Sequence, residues 1–348
     1  MRAAVSRAAV SNRCRGSVLL LVLVLIVVVS FALTLFIEKA HVEIKGEGYY
    51  VKRAELRKEA WSMMEVAVAV LADVKAIDNA LYAPSQGWGN PLEYAGIAPR
   101  EGLDVRFEFI DESGKVNINT LDRDSLVLLF DELGFELDIS SRLSDVLLDW
   151  IDADDETRIE GAESREYSTL ELDVRPANQV LKSLDELRYL FGFQELFFDE
   201  NGLPLPVFAQ LEQAVSVYEV NSLNVNAASS LALRAIADLD EFDKQAIDEF
   251  LKGFDGLLGT SDDNYFATAD DVAAVLVDIP EGAPLGHQIS VLTLKVTVSE
   301  GGYSYTLIGT LSVDAEAPAL QQSGGNLRYP FLFLDLREQP GSINARPI

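Results

Sequence analysis

The sequence predicts an α+β fold: a long N-terminal helix packed on a small antiparallel sheet, with a large helical domain inserted between the strands. Three observations predict it. An uncharged run at residues 17–37 leads straight into an amphipathic helical pattern. Strand-like alternation occurs near residue 105 and again after residue 289. Between those strands lie roughly 170 residues whose apolar positions recur at helical spacing.

The run at 17–37, SVLLLVLVLIVVVSFALTLFI, carries no charge. At about 1.5 Å of rise per residue, its helix matches a hydrocarbon core of about 30 Å. The segment before it holds Arg2, Arg7, Arg13 and Arg15 and no acid, which predicts a cytoplasmic leader and a translocated remainder. A secretory signal has a shorter apolar core, about 7–15 residues, with a small-x-small site after it. Here the small residue, Gly16, comes before the core. Beyond the run, Ala54, Leu56, Ala60, Met63, Met64, Ala67, Val68 and Leu71 form a stripe near the 3.6 period. One long helix from residue 17 to about 80 is expected. Gly46 and Gly48 weaken it by about 1 kcal/mol each, and two helices hinged there are the alternative. Met63, Met64 and Trp61 belong to the packed stripe.

Residues 84–91 (PSQGWGNP) read as a loop and 103–110 (LDVRFEFI) as a strand. Residues 111–115 form a turn before the tetrad VNIN at 116–119. A helix carrying Leu126, Leu129, Phe130 and Leu133 stops at Gly134. A second helix carries Leu143, Val146, Leu147 and Trp150 at i, i+3, i+4 and i+7. A very acidic loop follows at 151–166. Ser183-Leu184-Asp185-Glu186 has capping-box spacing and opens another helix, ending before Gly192. LNVN at 223–226 echoes the first tetrad and is followed by helical stretches at 228–237 and 242–252. The echo predicts a repeated unit: tetrad, helix, turn, helix. Asn119 and Asn226 are the expected N-caps. A second acidic, glycine-bearing loop spans 253–271. Strands at 289–298 and 303–313, joined at Gly301-Gly302, form a hairpin. A loose linker covers 315–325, and a last strand is expected at 329–336.

Net charge is −28. Such a surface repels phosphate backbones and attracts divalent cations and basic partners. The single cysteine, Cys14, lies in the leader, and there are two histidines, His41 and His287. Disulfides, cysteine metal sites and multi-histidine metal sites are therefore not expected. No Gly-x-Ser-x-Gly, HExxH, P-loop or nucleotide fingerprint occurs, so an enzyme is not expected.

The arrangement Arg15-Gly16-Ser17 before the apolar run resembles the leader of type IV pilins and pseudopilins. More specifically, the chain resembles general secretion pathway protein K, the large minor pseudopilin of type II secretion. The residues that carry the likeness are Gly16-Ser17, DESGKVNIN at 111–119, LLDWIDAD at 147–154 and Gly161-Ala162-Glu163. Arg175-Pro176-Ala177-Asn178, Leu184-Asp185-Glu186-Leu187 and Val225-Asn226-Ala227-Ala228 continue it in order. The resemblance implies a leader at 1–16, a transmembrane helix at 17–37 and the first part of a pilin-like domain at 38–115. It implies an inserted helical domain at 116–285, built of two SAM-like or helix-hairpin-helix-like units, and C-terminal strands and tail at 286–348. Cleavage by a prepilin peptidase between Gly16 and Ser17 is implied, with the helix retained in the inner membrane and the globular part in the periplasm. Partners would be other minor pseudopilins of the I and J types, at the tip of the pseudopilus. The fifth residue of the mature chain would be Leu21, where most pilin-like subunits carry glutamate. An unpaired carboxylate in hydrocarbon is costly. A tip subunit has no neighbour above whose amine needs that partner, whereas in a plain anchor Leu21 is another lipid-facing leucine.

Asp149, Asp152, Asp154, Asp155, Glu156, Glu160 and Glu163 crowd the first acidic loop. Calcium takes six to eight oxygen ligands. Asp152-x-Asp154 begins like an EF-hand loop but lacks its glycine. The resemblance implies calcium in this domain, and Asp152, Asp154, Asp155 and Glu163 are the candidate ligands; the bland alternative is a solvated acidic loop. A weaker second candidate is Asp255, Asp262, Asp263 and Asn264, with an ordinary polar loop equally in play. The paired tetrads are similar to those of helix-hairpin-helix DNA binders. The first hairpin turn, 133–138, carries Glu136 and Asp138 where phosphate would sit, so no nucleic acid is expected. The alternative function is a signal-anchored periplasmic calcium-dependent binding protein.

Overall fold

The computed structural model describes residues 15–169, 174–276, 279–280, 282–314 and 331–341. Most of the expected leader, the linker at 315–325, the start of the expected last strand at 329 and the tail from 342 lie outside the described residues. The chain divides into two compact units, Met1–Leu56 and Arg57–Ile348.

Helix α1 runs Arg15–Asp78 and includes Gly46 and Gly48 without a break. In the first unit its Val18–Ala40 segment, 23 residues of mean hydropathy 3.3, is long and apolar enough to cross a membrane. None of that segment is buried within the protein, and Leu21 is exposed with its neighbours.

In the second unit α1 buries Ala60, Met63, Met64, Ala67, Val68, Leu71 and Val74, the apolar face that the helical period predicts. The loop after it is organised by Gln86. Its Oε1 accepts from Tyr82 N (2.6 Å) and Trp88 Nε1 (3.2 Å), and its Nε2 donates to Asp78 (2.8 Å). A short helix, α2 (Pro91–Ala95), precedes β1 (Asp104–Asp111). Next come β2 (Val116–Asn117), α3 (Arg123–Glu132) and α4 (Leu137–Ile151). The chain continues through α5 (Ser164–Tyr167), α6 (Phe193–Phe197) and α7 (Pro206–Ala214). Between α5 and α6 the capping box at Ser183 is present, but it opens a 3-10 helix, Leu184–Tyr189, rather than an α-helix. After β3 (Val215–Ser216) and β4 (Leu223–Asn224) come α8 (Ser230–Ala237), α9 (Glu241–Leu251) and α10 (Ala269–Val275). The last strands are β5 (Leu285–Gly286), β6 (Val291–Glu300), β7 (Tyr303–Ser312) and β8 (Leu332–Pro340).

Strands β1, β6, β7 and β8 form one antiparallel sheet in that order. Its first two neighbours are far apart in sequence, so the helical block sits in the connection between them. Leu292, Leu294, Val296 and Val298 alternate along β6 and are all buried. Helix α1 packs against the sheet at Gly309. A Cβ there would lie 2.7 Å from the Phe333 ring and 3.4 Å from Met64 Cε. At the edge, Arg57 makes paired hydrogen bonds to Glu338 on β8 (2.7–3.0 Å), and Trp61 Nε1 adds another (3.3 Å).

The inserted block has one continuous core. Leu126, Leu129 and Phe130 of α3 meet Leu143, Val146, Leu147 and Trp150 of α4, and Leu233 of α8 and Ile247 of α9 join them. Fully burying one such side chain is worth about 1.5–3 kcal/mol. The hairpin between α3 and α4 turns at Gly134, whose φ of 92° lies in the left-handed region.

The tetrad echo is a structural repeat. Each tetrad opens as a short strand that pairs in parallel with a strand at its unit's far end: β2 with β3, and β4 with β5. These two-residue parallel pairs carry too little pattern to be read from sequence. The expected caps are corrected. Asp122 caps α3 by accepting from Ser125 N (2.9 Å), and Ser229 caps α8 by accepting from Ala232 N (3.2 Å). Asn119 and Asn226 lie too early in the chain and reach across instead. Asn119 accepts from Leu181 N (2.8 Å) and donates to Leu181 O (3.0 Å). Asn226 accepts from Phe266 N (2.7 Å) and donates to Phe266 O (3.1 Å) and His287 O (2.9 Å). Asn117 and Asn224, the first asparagines of the two tetrads, each accept the amide two residues on. Asn178 and Asn264 likewise correspond: each donates its backbone N–H to the last turn of the preceding long helix, at Trp150 O (3.0 Å) and Leu251 O (2.8 Å).

Block and sheet are joined through polar contacts. Asn224 Nδ2 donates to Asp111 (2.6 Å), the Ser113 hydroxyl accepts from Ser290 N (2.8 Å) and Val291 N (2.9 Å), and Thr293 donates to buried Glu112 (2.9 Å). Gly114 passes so close to Ala227 that a Cβ would lie 2.8 Å from it, which accounts for the glycine in DESGKVNIN.

Candidate metal centre

Helix α4 places Asp145 and Asp149 one turn apart among its buried residues, each followed by a buried apolar residue, Val146 and Trp150. Burying a carboxylate is costly unless it is paired and hydrogen-bonded, and both are. Asp145 accepts from Arg123 Nε (2.7 Å) and Glu160 N (3.2 Å). Asp149 accepts from Arg158 N (3.2 Å) and Arg158 Nη1 (2.5 Å). The acidic loop is thereby wrapped back over the helix that precedes it. Gly161 seals the contact: a Cβ there would lie 1.9 Å from Asp149 Oδ2.

The loop carries Asp152, Asp154 and Glu163 to one place. Each offers a carboxylate oxygen, and those oxygens lie within 4.8 Å of one another. Glu163 is almost completely buried, 1% exposed, and neither of its carboxylate oxygens has a hydrogen-bond partner. Asp152 Oδ1 is likewise buried without one. Burial, then the charges of Asp149, Asp152, Asp155 and Asp154, push the Glu163 carboxyl up to about 7. Burial also raises Asp149, against the hydrogen bonds from Arg158. This donor set suits a hard divalent cation: buried orphan carboxylate oxygens supply charge, and carbonyls and water complete a calcium shell. Asp155 is not among the three convergent residues; its Oδ1 faces Ser164 N at 3.4 Å. The loop exit is pinned by Asn178, which donates to Asp154 O (3.0 Å) and sits at φ 48°, a conformation that asparagine tolerates. That is the role of the asparagine in Arg175-Pro176-Ala177-Asn178.

The second acidic loop is built differently. Asp255 Oδ1 accepts from Leu257 N (2.8 Å) and Asp262 Oδ2 from Asp255 N (3.2 Å). Asp263 Oδ2 accepts from Gly259 N (2.6 Å), and Thr260 Oγ1 donates to both Asp262 and Asp263. Asn264 Nδ2 donates to Phe250 O and Lys252 O. These groups are spent on their own turn. Among the described residues the convergent acidic group is the one at Asp152, Asp154 and Glu163.

Sequence reasoning passed over Arg158 as well as Asp145 and the structural use of Asp149. The available signal was the i, i+4 spacing of two aspartates on an otherwise apolar helix face.

Comparison with known proteins adds the lineage. The family model described as type II secretion system protein K matches residues 112–200, a stretch that contains the whole acidic loop. Two curated proteins named type II secretion system protein K also match. One, from Pectobacterium carotovorum, is 26% identical over 203 residues, covering 52% of this chain and 59% of the relative. The other, from Pseudomonas aeruginosa, is 32% identical over 165 residues, covering 44% and 46%. Residues 112–200 therefore match the protein K family's first domain, and the chain is similar to these two protein K sequences. The match spans about half the length of these curated relatives. In structure, the chain is similar to one from the crystal structure of the GspK-GspI-GspJ complex of the enterotoxigenic Escherichia coli type 2 secretion system. The TM-score is 0.58 and the identity 16%, over 86% of this chain and 99% of that one. The fold is therefore shared across nearly the whole of that chain.

Proposed function

We propose that this protein is a minor pseudopilin of a type II secretion apparatus, a structural subunit rather than an enzyme. The observation that carries the reading is the conjunction of an apolar span at the start of α1 with a sheet interrupted by a protein K-type helical block. The span anchors the subunit in the inner membrane, its basic leader stays cytoplasmic, and the globular part lies in the periplasm. A prepilin peptidase cuts between Gly16 and Ser17 and leaves the helix attached. Leu21 then occupies the fifth mature position without a carboxylate, which suits the end of a filament. The neighbour's complex with I- and J-type subunits supports the same partners here. The paired tetrads and helical hairpins support a reading of the block as two SAM-like or helix-hairpin-helix-like units.

Calcium belongs to this reading. Asp152, Asp154 and Glu163 would hold it; Asp155 and the second group (Asp255, Asp262, Asp263 and Asn264) are weaker candidates. The ion supplies positive charge that neutralises the crowded carboxylates. The protein's own part is done by Asp145 and Asp149, which fold the loop over α4, and by Asn178, which fixes its exit.

Mass spectrometry of the processed N-terminus, in cells with and without the peptidase, tests the assignment. A start at Ser17 that disappears on changing Gly16 is the expected result. An intact leader overturns it and leaves the signal-anchored calcium-dependent binding protein as the better reading, and a cut beyond residue 37 overturns both.

A further inference from the structure

The carboxylates of the first acidic loop already have a cation of their own. Arg158 Nη1 lies 2.5 Å from Asp149 Oδ1 and 2.5 Å from Asp152 Oδ2. Its backbone N–H takes the other oxygen of Asp149 (3.2 Å). The Arg158 side chain is about one-third exposed, while that of Asp149 is fully enclosed. Asp152 therefore faces two ways. Its Oδ2 is held by Arg158, its Oδ1 is buried and unpartnered, and the residue belongs to the group with Asp154 and Glu163.

We propose that Arg158 is the affinity-setting residue of this site: it shares Asp152 with any bound divalent cation and places a fixed positive charge beside it. The inference rests on the calcium reading given above. Its physical basis is direct. Two like charges joined through one carboxylate repel, and in a partly buried setting that repulsion is only weakly screened. Arg158 thus lowers the affinity of the loop for cations and raises the concentration at which it fills. In return it prevents Asp149 and Asp152 from facing each other unneutralised. Glu163 lies outside its reach and keeps two orphan oxygens, so the cation's gain comes from Glu163 and Asp154 while Asp152 is contested. Arg158 is a positioning residue and not a ligand; a guanidinium has no lone pair to offer a metal.

The test is calcium titration calorimetry on the full chain in detergent micelles, comparing the wild type with Arg158→Gln, Arg158→Met and Arg158→Lys. Glutamine keeps hydrogen bonding to Asp149 without the charge, so it serves where the methionine variant fails to fold; circular dichroism checks each. The expected result is calcium affinity raised by about tenfold or more in the neutral variants. The lysine variant should stay within about threefold of the wild type. A wild type that binds and neutral variants that bind no tighter overturn the role of Arg158 and leave the calcium reading standing. Binding gained only in the neutral variants supports the role and removes calcium from the wild type. Absence of binding in all four overturns both. A merely structural Arg158 predicts weaker binding, or none, on neutralisation, so the sign of the change decides.

Discussion

Replacing Asn226 by alanine isolates what the repeat depends on. The side chain makes four contacts: it accepts from Phe266 N (2.7 Å) and donates to Phe266 O (3.1 Å), His287 O (2.9 Å) and Asn224 Oδ1 (3.1 Å). Phe266 is fully buried, so its amide and carbonyl have little water to turn to. An unsatisfied buried group costs about 1–3 kcal/mol, and these partners are neighbours, so their losses do not simply add. A total of about 3–5 kcal/mol is expected, which is roughly a 10 °C fall in melting temperature for a domain of this size. Asn119→Ala removes two contacts, both to Leu181, and should cost about half as much. Asn226→Asp keeps the acceptor for Phe266 N but turns a carboxylate onto two carbonyls. It should be at least as damaging as alanine. Urea unfolding followed by tryptophan fluorescence measures all three. A loss below about 1 kcal/mol for Asn226→Ala, or a larger loss for Asn119→Ala, would refute the cross-chain staple as the repeat's organising contact.

Further outcomes follow from single residues. Gly161→Ala must displace Asp149 or the loop, because the new Cβ would lie 1.9 Å from Asp149 Oδ2. A loss of about 2–4 kcal/mol in urea unfolding is expected, together with faster proteolysis of the loop. Burial holds the Asp111 carboxyl up at about 7, against hydrogen bonds from Asn224 and Ser113. A carboxyl raised in the folded state contributes stability that is complete below its unfolded value near 3.8 and is lost as pH rises through about 7. Unfolding free energy should therefore slope downward across that window, and Asp111→Asn should flatten the slope in a pH series of melts. Glu338 runs the other way. Arg57 first, then Tyr305, hold its carboxyl down at about 2, so its contribution is present above about 4.5 and is lost as pH falls through about 2. Glu338→Gln should weaken the acid-side dependence and loosen β8 from α1 in hydrogen exchange.

The sequence alone determined the parts whose signal is local. A run without charge is a membrane-length helix because only apolar side chains tolerate hydrocarbon, and residues 17–37 have that character. The apolar stripe from Ala60 to Leu71 and the alternation of β1, β6 and β7 gave the elements their faces, since helices repeat at 3.6 residues and strands at two. The order of strands around a helical block was legible for the same reason. The acidic loop was visible as a crowd of carboxylates, but which of them converge was not. Asp152, Asp154 and Glu163 meet only because Asp149 takes the Arg158 amide and Gly161 lets the loop close over α4. Asn119 and Asn226 looked like caps because capping is a short-range habit of asparagine. Tertiary structure reassigned them to Leu181, Phe266 and His287, contacts 40 to 62 residues away. A side chain's hydrogen-bond partners are chosen by what folding brings within about 3 Å, and no periodicity along the chain records that distance.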